Sequence, residues 1–369
     1  MKKKNIFIAL ALALAVTACG NEEAKTTETE ITEVNKKDSK KETGEEVIYA
    51  SFYPTYNLTK QIAGDKFDVA SFNSLTTESH DFEPSAKEIA ELSQASLIFM
   101  NGAGMEDWKD DVSKTVDIDM VDTSEGLDLI KASHDHDHDD DHHEDHDHGH
   151  NHDDDHHEDH DHGHNHDDDH HEDHDLGHDH DDAHHEDHEH HHHNHGEYDP
   201  HTWLSPINAK AQGKVIADKL SEIDPANKEY YEANYEKIAS ELDSIIEEYT
   251  AKFNEVDNKK FIVPHEAFGY VARDFGLEQI PLASLTSTDD PDAKVLKEMI
   301  DLARAEQINT VFFEKGGSDK AAKTIADEIG ADTKPLDTME FASQEDLNKG
   351  LTLQELIKVN LENIYKSLA

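Results

Sequence analysis

Cysteine and basic residues are both scarce in this chain. Cys19 is the only cysteine among 369 residues, which excludes a disulfide framework and a cysteine-based zinc finger. Lys and Arg number 33 against 85 Asp and Glu, a net charge of −52, so the chain lacks the basic face that nucleic-acid binding requires. After residue 16 there is no hydrophobic run long enough to span a bilayer. We therefore expect no nucleic-acid partner and no membrane span.

The amino terminus has the pattern of an export signal. Three lysines at positions 2–4 precede an apolar run from Ile6 to Val16, which is too short to span a bilayer stably. The run leads into Val-Thr-Ala-Cys, which indicates a lipobox whose Cys19 becomes the first mature residue and carries lipid. A cleaved signal with an incidental cysteine is the alternative. We predict a signal peptide over residues 1–18, a disordered tether over 19–46, and an extracytoplasmic protein held at the cell membrane by lipid.

From residue 47 onward, short apolar runs alternate with amphipathic segments. The apolar runs predict strands at residues 47–52, 67–72, 97–100, 118–121, 261–263, 280–283 and 310–313. Helices are predicted between them at residues 55–64, 84–93, 206–222, 292–306, 319–329 and 351–368. Strands that alternate with helices are typical of βαβ units, so the predicted fold class is α/β, with parallel sheets flanked by helices.

One predicted helix, at residues 225–253, is much longer than the others. Its apolar residues recur at alternating spacings of four and three and form one stripe: Tyr231, Tyr235, Ile238, Leu242, Ile245 and Tyr249. A free coiled coil would also use such a stripe, but the position between two α/β regions favours a rigid helix packed across both. We predict two lobes, at residues 47–224 and 254–369, bridged by this helix.

A histidine-rich tract interrupts the first predicted lobe at residues 134–195. It holds 28 of the 31 histidines and 26 acidic residues, with no lysine or arginine, and repeats DDDHHEDHDHGHNH with a period of 14 from Asp139. The repeat is too polar to bury a face and predicts a low-complexity loop. Imidazoles suit Zn, Cu and Ni, so we expect weak metal binding and an auxiliary collecting role, with neutral repeat expansion as the alternative. Its first histidines are His134, His136, His138, His142, His143, His146, His148, His150 and His152.

Only three histidines lie outside the tract, and all three occupy turns between predicted elements. His80 follows the second strand, His201 precedes the helix that begins at Pro206, and His265 directly follows the strand at 261–263. In open α/β sheets, ligands gather at the carboxyl ends of the strands, so these turns can converge on one crevice. A capped or surface imidazole would explain any one of them alone. Three such positions together favour a metal site.

Five segments in order carry a family resemblance: SFYPTYNLTKQIAG, HDFEPSAKEIAEL, NGAGMEDW, DPHTWLSP and PHEAFGY. They resemble the zinc-type substrate-binding lipoproteins of ABC transporters, and the resemblance runs from residue 47 to 369 apart from the tract, which falls where zinc members carry a His-rich loop. It implies two α/β lobes bridged by a long rigid helix, with the metal ligands His80, His201 and His265 between the lobes. Manganese-type relatives replace the third histidine by a carboxylate, which PHEAFGY does not.

The fourth ligand is less fixed by the resemblance. Some members use a Glu beside the first histidine, where this chain has Ser79 with Glu78 one position further back. The segment LDTME resembles the part of the family that supplies a carboxylate late in the chain, which makes Glu340 the preferred ligand. Glu314, at the end of a predicted strand, is the rival.

These features predict a monomeric zinc-binding protein that delivers Zn²⁺, its transported ligand, to the permease of an ABC importer. Three imidazoles and one carboxylate suit tetrahedral Zn²⁺, whereas Mn²⁺ prefers mainly oxygen donors, so a manganese-binding homologue is the less favoured alternative. An exported zinc hydrolase would need an open coordination position and a base, and the chain has no HExxH or GxSxG motif, so no enzyme is predicted. A surface adhesin or metal buffer would share the same site and stays open.

Overall fold

The computed structural model describes residues 47–132, 196–283 and 291–369, which form two four-stranded sheets, each parallel throughout. The first has the order β2-β1-β3-β4. Its strands are β1 (Val47–Ala50), β2 (Asp68–Ser71), β3 (Leu97–Met100) and β4 (Asp119–Asp122). The second has the order β6-β5-β7-β8. Its strands are β5 (Lys260–Val263), β6 (Glu278–Pro281), β7 (Thr310–Glu314) and β8 (Asp332–Leu336). The two sheets therefore repeat one topology.

Helices flank both sheets. They are α1 (Tyr53–Ala63), α2 (Ala86–Leu92), α3 (Lys109–Ser113), α4 (Pro206–Ile223), α5 (Lys228–Asn254), α6 (Gly269–Phe275), α7 (Ala293–Ala305), α8 (Lys320–Ile329), α9 (Gln344–Lys349) and α10 (Leu353–Leu368). We call the first sheet with α1–α4 the N-terminal lobe, and the second sheet with α6–α10 the C-terminal lobe. The predicted α/β class with two parallel-sheet lobes is confirmed.

Helix α5 bridges the two lobes. It has 27 residues, which at 1.5 Å per residue gives a length of roughly 40 Å. All six residues of the predicted stripe are buried, and they belong to one apolar core that also contains Ile48 of β1 and Phe261 of β5. Because a single core runs through both lobes and the helix between them, α5 provides a rigid connection.

Some predicted elements differ from the observed ones. Residues Pro225–Asn227 form a separate 3-10 turn, so the long helix begins at Lys228 rather than at residue 225. The strand predicted at 280–283 lies at Glu278–Pro281, because it pairs in register with β5. The edge strand β8 was not predicted because Lys334 and Pro335 interrupt its apolar pattern, and proline is tolerated in sheets at edges. The short helices α3, α6 and α9 were not predicted either.

Several predictions concern residues outside the described ranges. They are the signal peptide at 1–18, the lipidated Cys19, the tether at 19–46 and the histidine-rich tract at 134–195. The predicted domain boundaries likewise remain predictions. Within the part of the chain that the structure describes, none of the helices combines the length and the apolar character that a bilayer crossing requires.

Candidate metal centre

The first histidine of the site lies in the turn after β2. A carboxylate oxygen of Glu78 accepts hydrogen bonds from the backbone N–H groups of Ser79 (2.6 Å) and His80 (2.9 Å), which fixes the turn. The hydroxyl of Ser79 donates to the backbone carbonyl of Glu340 in the C-terminal lobe, at 3.0 Å. The segment that carries His80 is therefore attached to the segment that carries Glu340.

The second histidine is held by a carboxylate two residues before it. Asp199 Oδ1 accepts hydrogen bonds from the backbone N–H of His201 (2.9 Å) and from its ring nitrogen Nδ1 (2.8 Å). Asn101, just beyond β3, donates to the carbonyl of Pro200 (2.8 Å) and accepts from the hydroxyl of Thr202 (2.7 Å). The residues on either side of His201 are thus fixed, and with Nδ1 occupied, Nε2 is the ring nitrogen available to a metal.

The C-terminal lobe contributes the other two side chains. His265 lies two residues beyond β5, and Glu340 lies four residues beyond β8. Glu314 ends β7, where it pairs in register with Leu336 of β8. All of these positions are at carboxyl ends of parallel strands, the edge at which ligands of α/β proteins are bound.

Four of the predicted side chains converge on one point. His80, His201, His265 and Glu340, which we call the metal-site group, each offer a ligand atom, and these atoms lie within 4.8 Å of one another. Nε2 of His80 is 3.2 Å from Nε2 of His201 and 3.5 Å from Glu340 Oε2. Glu340 Oε1 is 3.6 Å from Nε2 of both His201 and His265. A tetrahedral zinc ion with bonds of about 2.0–2.2 Å has ligand atoms about 3.3–3.6 Å apart, so these spacings fit such an ion.

The group is buried, and some of its polar atoms have no hydrogen-bond partner. Relative exposure is 0% for His201, 2% for His265 and 1% for Glu340, and the side chain of His80 is 9% exposed. Both ring nitrogens of His265 and Glu340 Oε1 lack a hydrogen bond to any described residue. Buried polar atoms without partners are costly, and a cation among them would satisfy both the imidazole lone pairs and the carboxylate.

The electrostatics of the group favour protons when no metal is present. Burial alone would lower the pKa of His265, but the carboxylates of Glu314 and Glu340 outweigh it and raise that pKa to about 10. Burial likewise opposes, and Asp199 and Glu340 together raise, the pKa of His201. For Glu340, burial would raise the pKa, yet the three neighbouring imidazoles hold it well below its usual range. Metal must therefore displace protons from the histidines.

Glu78 is the fourth carboxylate near the site. Burial, together with the neighbouring carboxylate of Glu340, raises the pKa of Glu78 to about 8. At neutral pH its protonated form limits the negative charge that surrounds Glu340.

Glu314 lies close to the group but outside it. Its Oε2 is 3.5 Å from Nδ1 of His265, the ring nitrogen opposite the one that faces Glu340, and its Oε1 accepts a hydrogen bond from the hydroxyl of Thr338 at 2.8 Å. Glu314 therefore stands to His265 as Asp199 stands to His201. Sequence reasoning missed Asp199, although its place in the DPHTW segment, two residues before a candidate ligand, was a usable signal. The predicted tract histidines and Cys19 lie outside the described residues.

Comparison with known proteins gives consistent matches. Residues 48–367 match the family described as zinc-uptake complex component A, periplasmic (ZnuA). The high-affinity zinc uptake system protein ZnuA of Bacillus subtilis is 33% identical over 371 aligned residues, which cover 100% of this chain and 98% of that protein. The Zn(II)-bound ZnuA-like domain of Streptococcus pneumoniae AdcA is 25% identical, with a TM-score of 0.65, covering 88% of this chain and 99% of that one. The laminin-binding protein Lmb of Streptococcus agalactiae, described as a bifunctional protein with adhesin and metal-transporting activity, is 26% identical, with a TM-score of 0.66, covering 88% and 100%.

Proposed function

Since the chain belongs to the zinc-uptake complex component A family, we propose that it captures Zn²⁺ in the metal-site group and delivers the ion to the permease of an ABC importer. The observation that carries the proposal is the spacing of the four ligand atoms, which fits a tetrahedral ion between the lobes. Zinc is the transported ligand and takes no part in a reaction.

The donor set supports zinc over manganese. Three imidazole nitrogens and one carboxylate make a nitrogen-rich, four-coordinate site, which Zn²⁺ accepts without a geometric penalty. Mn²⁺ prefers mainly oxygen donors. With all four positions taken by protein, no coordination position remains for an activated water, so the proposal assigns no catalytic role to the ion.

The division of ligands between the lobes supports capture followed by release. His80 and His201 come from the N-terminal lobe, whereas His265 and Glu340 come from the C-terminal lobe. Separating the lobes would halve the coordination shell at one stroke. We propose that contact with the permease drives this separation, because a closed site with four protein ligands would otherwise release its metal slowly.

Two further parts of the proposal concern segments outside the described residues. The histidine-rich tract at 134–195 would act as an auxiliary collector, whose many imidazoles bind zinc weakly and raise its concentration near the site. Lipid on Cys19 would hold the monomeric protein at the outer surface of the membrane, beside its permease.

Metal binding by the purified chain tests the site. In equilibrium dialysis against a chelator that keeps free zinc too low to fill weak sites, we expect one zinc per molecule. His201→Ala should lose that zinc, whereas His146→Ala, in the tract, should retain it as a matched control. Retention of zinc by His201→Ala, or preference for manganese in direct competition, would contradict the site.

The similarity to Lmb gives a second candidate function some support, that of a surface adhesin that also binds metal. Uptake of radioactive zinc by cells separates the two. Deletion of the gene should abolish high-affinity uptake, the unchanged gene should restore it, and His265→Ala should not. Normal uptake in the deletion strain would favour the adhesin.

A further inference from the structure

The orientation of His201 depends on how Asp199 itself is held. The backbone N–H of Asp199 donates to the carbonyl of Ile130 at 2.9 Å. Next to this bond, Lys131 and Tyr198 form an antiparallel bridge, and the N–H of Ala132 donates to the carbonyl of Glu197 at 3.0 Å. We call these paired residues, 130–132 and 197–199, the stem. Asp199 is thus the last residue of the stem and the carboxylate that orients His201.

One side chain of the C-terminal lobe connects both strands of the stem. The hydroxyl of Tyr270 donates to the backbone carbonyl of Asp199 at 2.7 Å and accepts from the backbone N–H of Ile130 at 3.2 Å. Tyr270 is fully buried, in α6, the helix that begins four residues after His265. Burial, followed by the nearby charge of Asp199, raises the pKa of Tyr270, so the hydroxyl keeps the proton that it donates.

The rest of α6 packs closely on the same residues. A Cβ atom added at Gly269 would lie 2.7 Å from Asp199 Oδ2, so only a glycine allows this approach. One turn further on, Arg273 lies over the ring of Tyr270 at 5.0 Å and donates to the backbone carbonyl of Asp128. The helix is therefore fitted to the stem by shape as well as by hydrogen bonds.

We propose that Tyr270 is a positioning residue that couples closure of the lobes to the orientation of His201. With the lobes together, its hydroxyl fixes the backbone of Asp199, and Asp199 fixes the ring of His201. When the lobes separate, the hydroxyl leaves the stem and His201 loses the support of its carboxylate. The ligand then weakens in the same movement that withdraws His265 and Glu340. This proposal deepens the proposed function and rests on it.

A purely structural role for Tyr270 makes a different prediction. A buried tyrosine usually needs a partner for its hydroxyl, and removing any such bond costs some stability. Tyr231 offers a matched control, since it is also fully buried and its hydroxyl donates to Asp224 at 2.7 Å, away from the metal-site group. Both Tyr→Phe changes remove one hydroxyl from the interior, but only one of them touches the stem.

The test uses the full chain loaded with zinc, with dissociation followed by transfer to a chelator. We expect Tyr270→Phe to release zinc about tenfold faster, the lower end of the effect of losing an outer hydrogen-bonding partner, and Tyr231→Phe to match the unchanged chain. Gly269→Ala keeps the phenol but displaces Asp199, and should also speed release. It decides the matter if Tyr270→Phe does not fold. Unchanged release in the folded variant, or equal acceleration in both tyrosine variants, overturns the proposal.

A second readout needs no metal. In the metal-free chain, amide hydrogen exchange of Ile130 should be faster in Tyr270→Phe than in Tyr231→Phe. If the unchanged chain holds no tight zinc, the proposed function fails, and this exchange measurement still reports whether Tyr270 fixes the stem. Equal exchange in the two variants overturns the coupling by itself.

Discussion

Nδ1 of His265 lies 3.5 Å from a carboxylate oxygen of Glu314, on the side of the ring opposite Glu340. The two carboxylates therefore contact different nitrogens of one imidazole. Glu340 shares the point on which all three histidines converge, whereas Glu314 lies behind His265. This arrangement assigns them different roles in our account: Glu340 binds the metal, and Glu314 orients the ligand.

The first prediction compares matched substitutions at the two carboxylates. Glu314→Gln should weaken zinc binding about 10- to 100-fold, the usual cost of losing a hydrogen-bonding carboxylate behind a ligand. Glu340→Gln should weaken it considerably more, because it removes the only charged ligand. Competition with a chelator of known affinity measures both changes. A larger loss in Glu314→Gln would exchange the two roles.

The second prediction concerns pH. His265, with a pKa raised to about 10, is protonated at neutral pH in the metal-free protein and must lose its proton to bind zinc. Zinc affinity should therefore rise with pH up to about 10 and fall by about tenfold for each unit of acidification below that, one pKa unit being a factor of ten. The fall should steepen where His201 also takes up a proton.

Titrations at pH values from 9 to 5.5 check this slope. Glu314→Gln provides the control, because removal of that carboxylate lowers the pKa of His265 and should flatten the curve at its alkaline end. An affinity that does not change between pH 7.5 and 5.5 would mean that histidines are not the ligands.

The third prediction separates the tract from the site. Deletion of residues 134–195 joins residue 133 to Gly196, between Ala132 and Glu197, which already pair across the stem. A two-residue turn containing glycine suits such a connection. Calorimetric titration with zinc should then show one tight site and no weak class, with little change in the melting temperature of the metal-free protein.

Its counterpart is His265→Ala in the full chain. That variant should lose the tight class and keep the weak one, because the tract is intact. If deletion of the tract instead removes the tight class, the tract supplies ligands to the site, and the separation of the two metal-binding parts is wrong.

The fourth prediction tests the membrane anchor. Cys19→Ala removes the only thiol that can carry lipid, so the protein should fail to incorporate labelled fatty acid and should be released from the membrane or remain unprocessed. Cys19→Ser is a second variant that changes a single atom and should behave in the same way. Normal labelling of either variant would refute the lipobox.

The fold was predictable because its signals are local. The stripe from Tyr231 to Tyr249 has the period of a helix that is buried along one side, and every residue of it is buried. Strand β3 was predicted at its observed bounds because all four of its residues are apolar and buried. Strand β8 escaped because it lies at a sheet edge, where burial imposes no apolar pattern on Lys334 and Pro335.

The site was predictable only in part. His80, His201 and His265 stood out as the histidines beyond the tract at turns between elements, and the family resemblance contributed Glu340. The supporting residues could not be found in the same way. The hydroxyl of Tyr270 bonds residues 71 and 140 positions away, and nothing in the local sequence of α6 indicates those partners. Such contacts depend on how the lobes meet.

X-ray absorption spectroscopy of the one-to-one zinc complex, with residues 134–195 deleted, tests the central claim most directly. With the tract gone, His80, His201 and His265 are the only histidines left in the chain. Our account predicts a four-coordinate ion with three imidazole nitrogens and one carboxylate oxygen, at distances of about 2.0–2.2 Å. Six-coordinate zinc surrounded mainly by oxygen, or a spectrum that His265→Ala leaves unchanged, would contradict it.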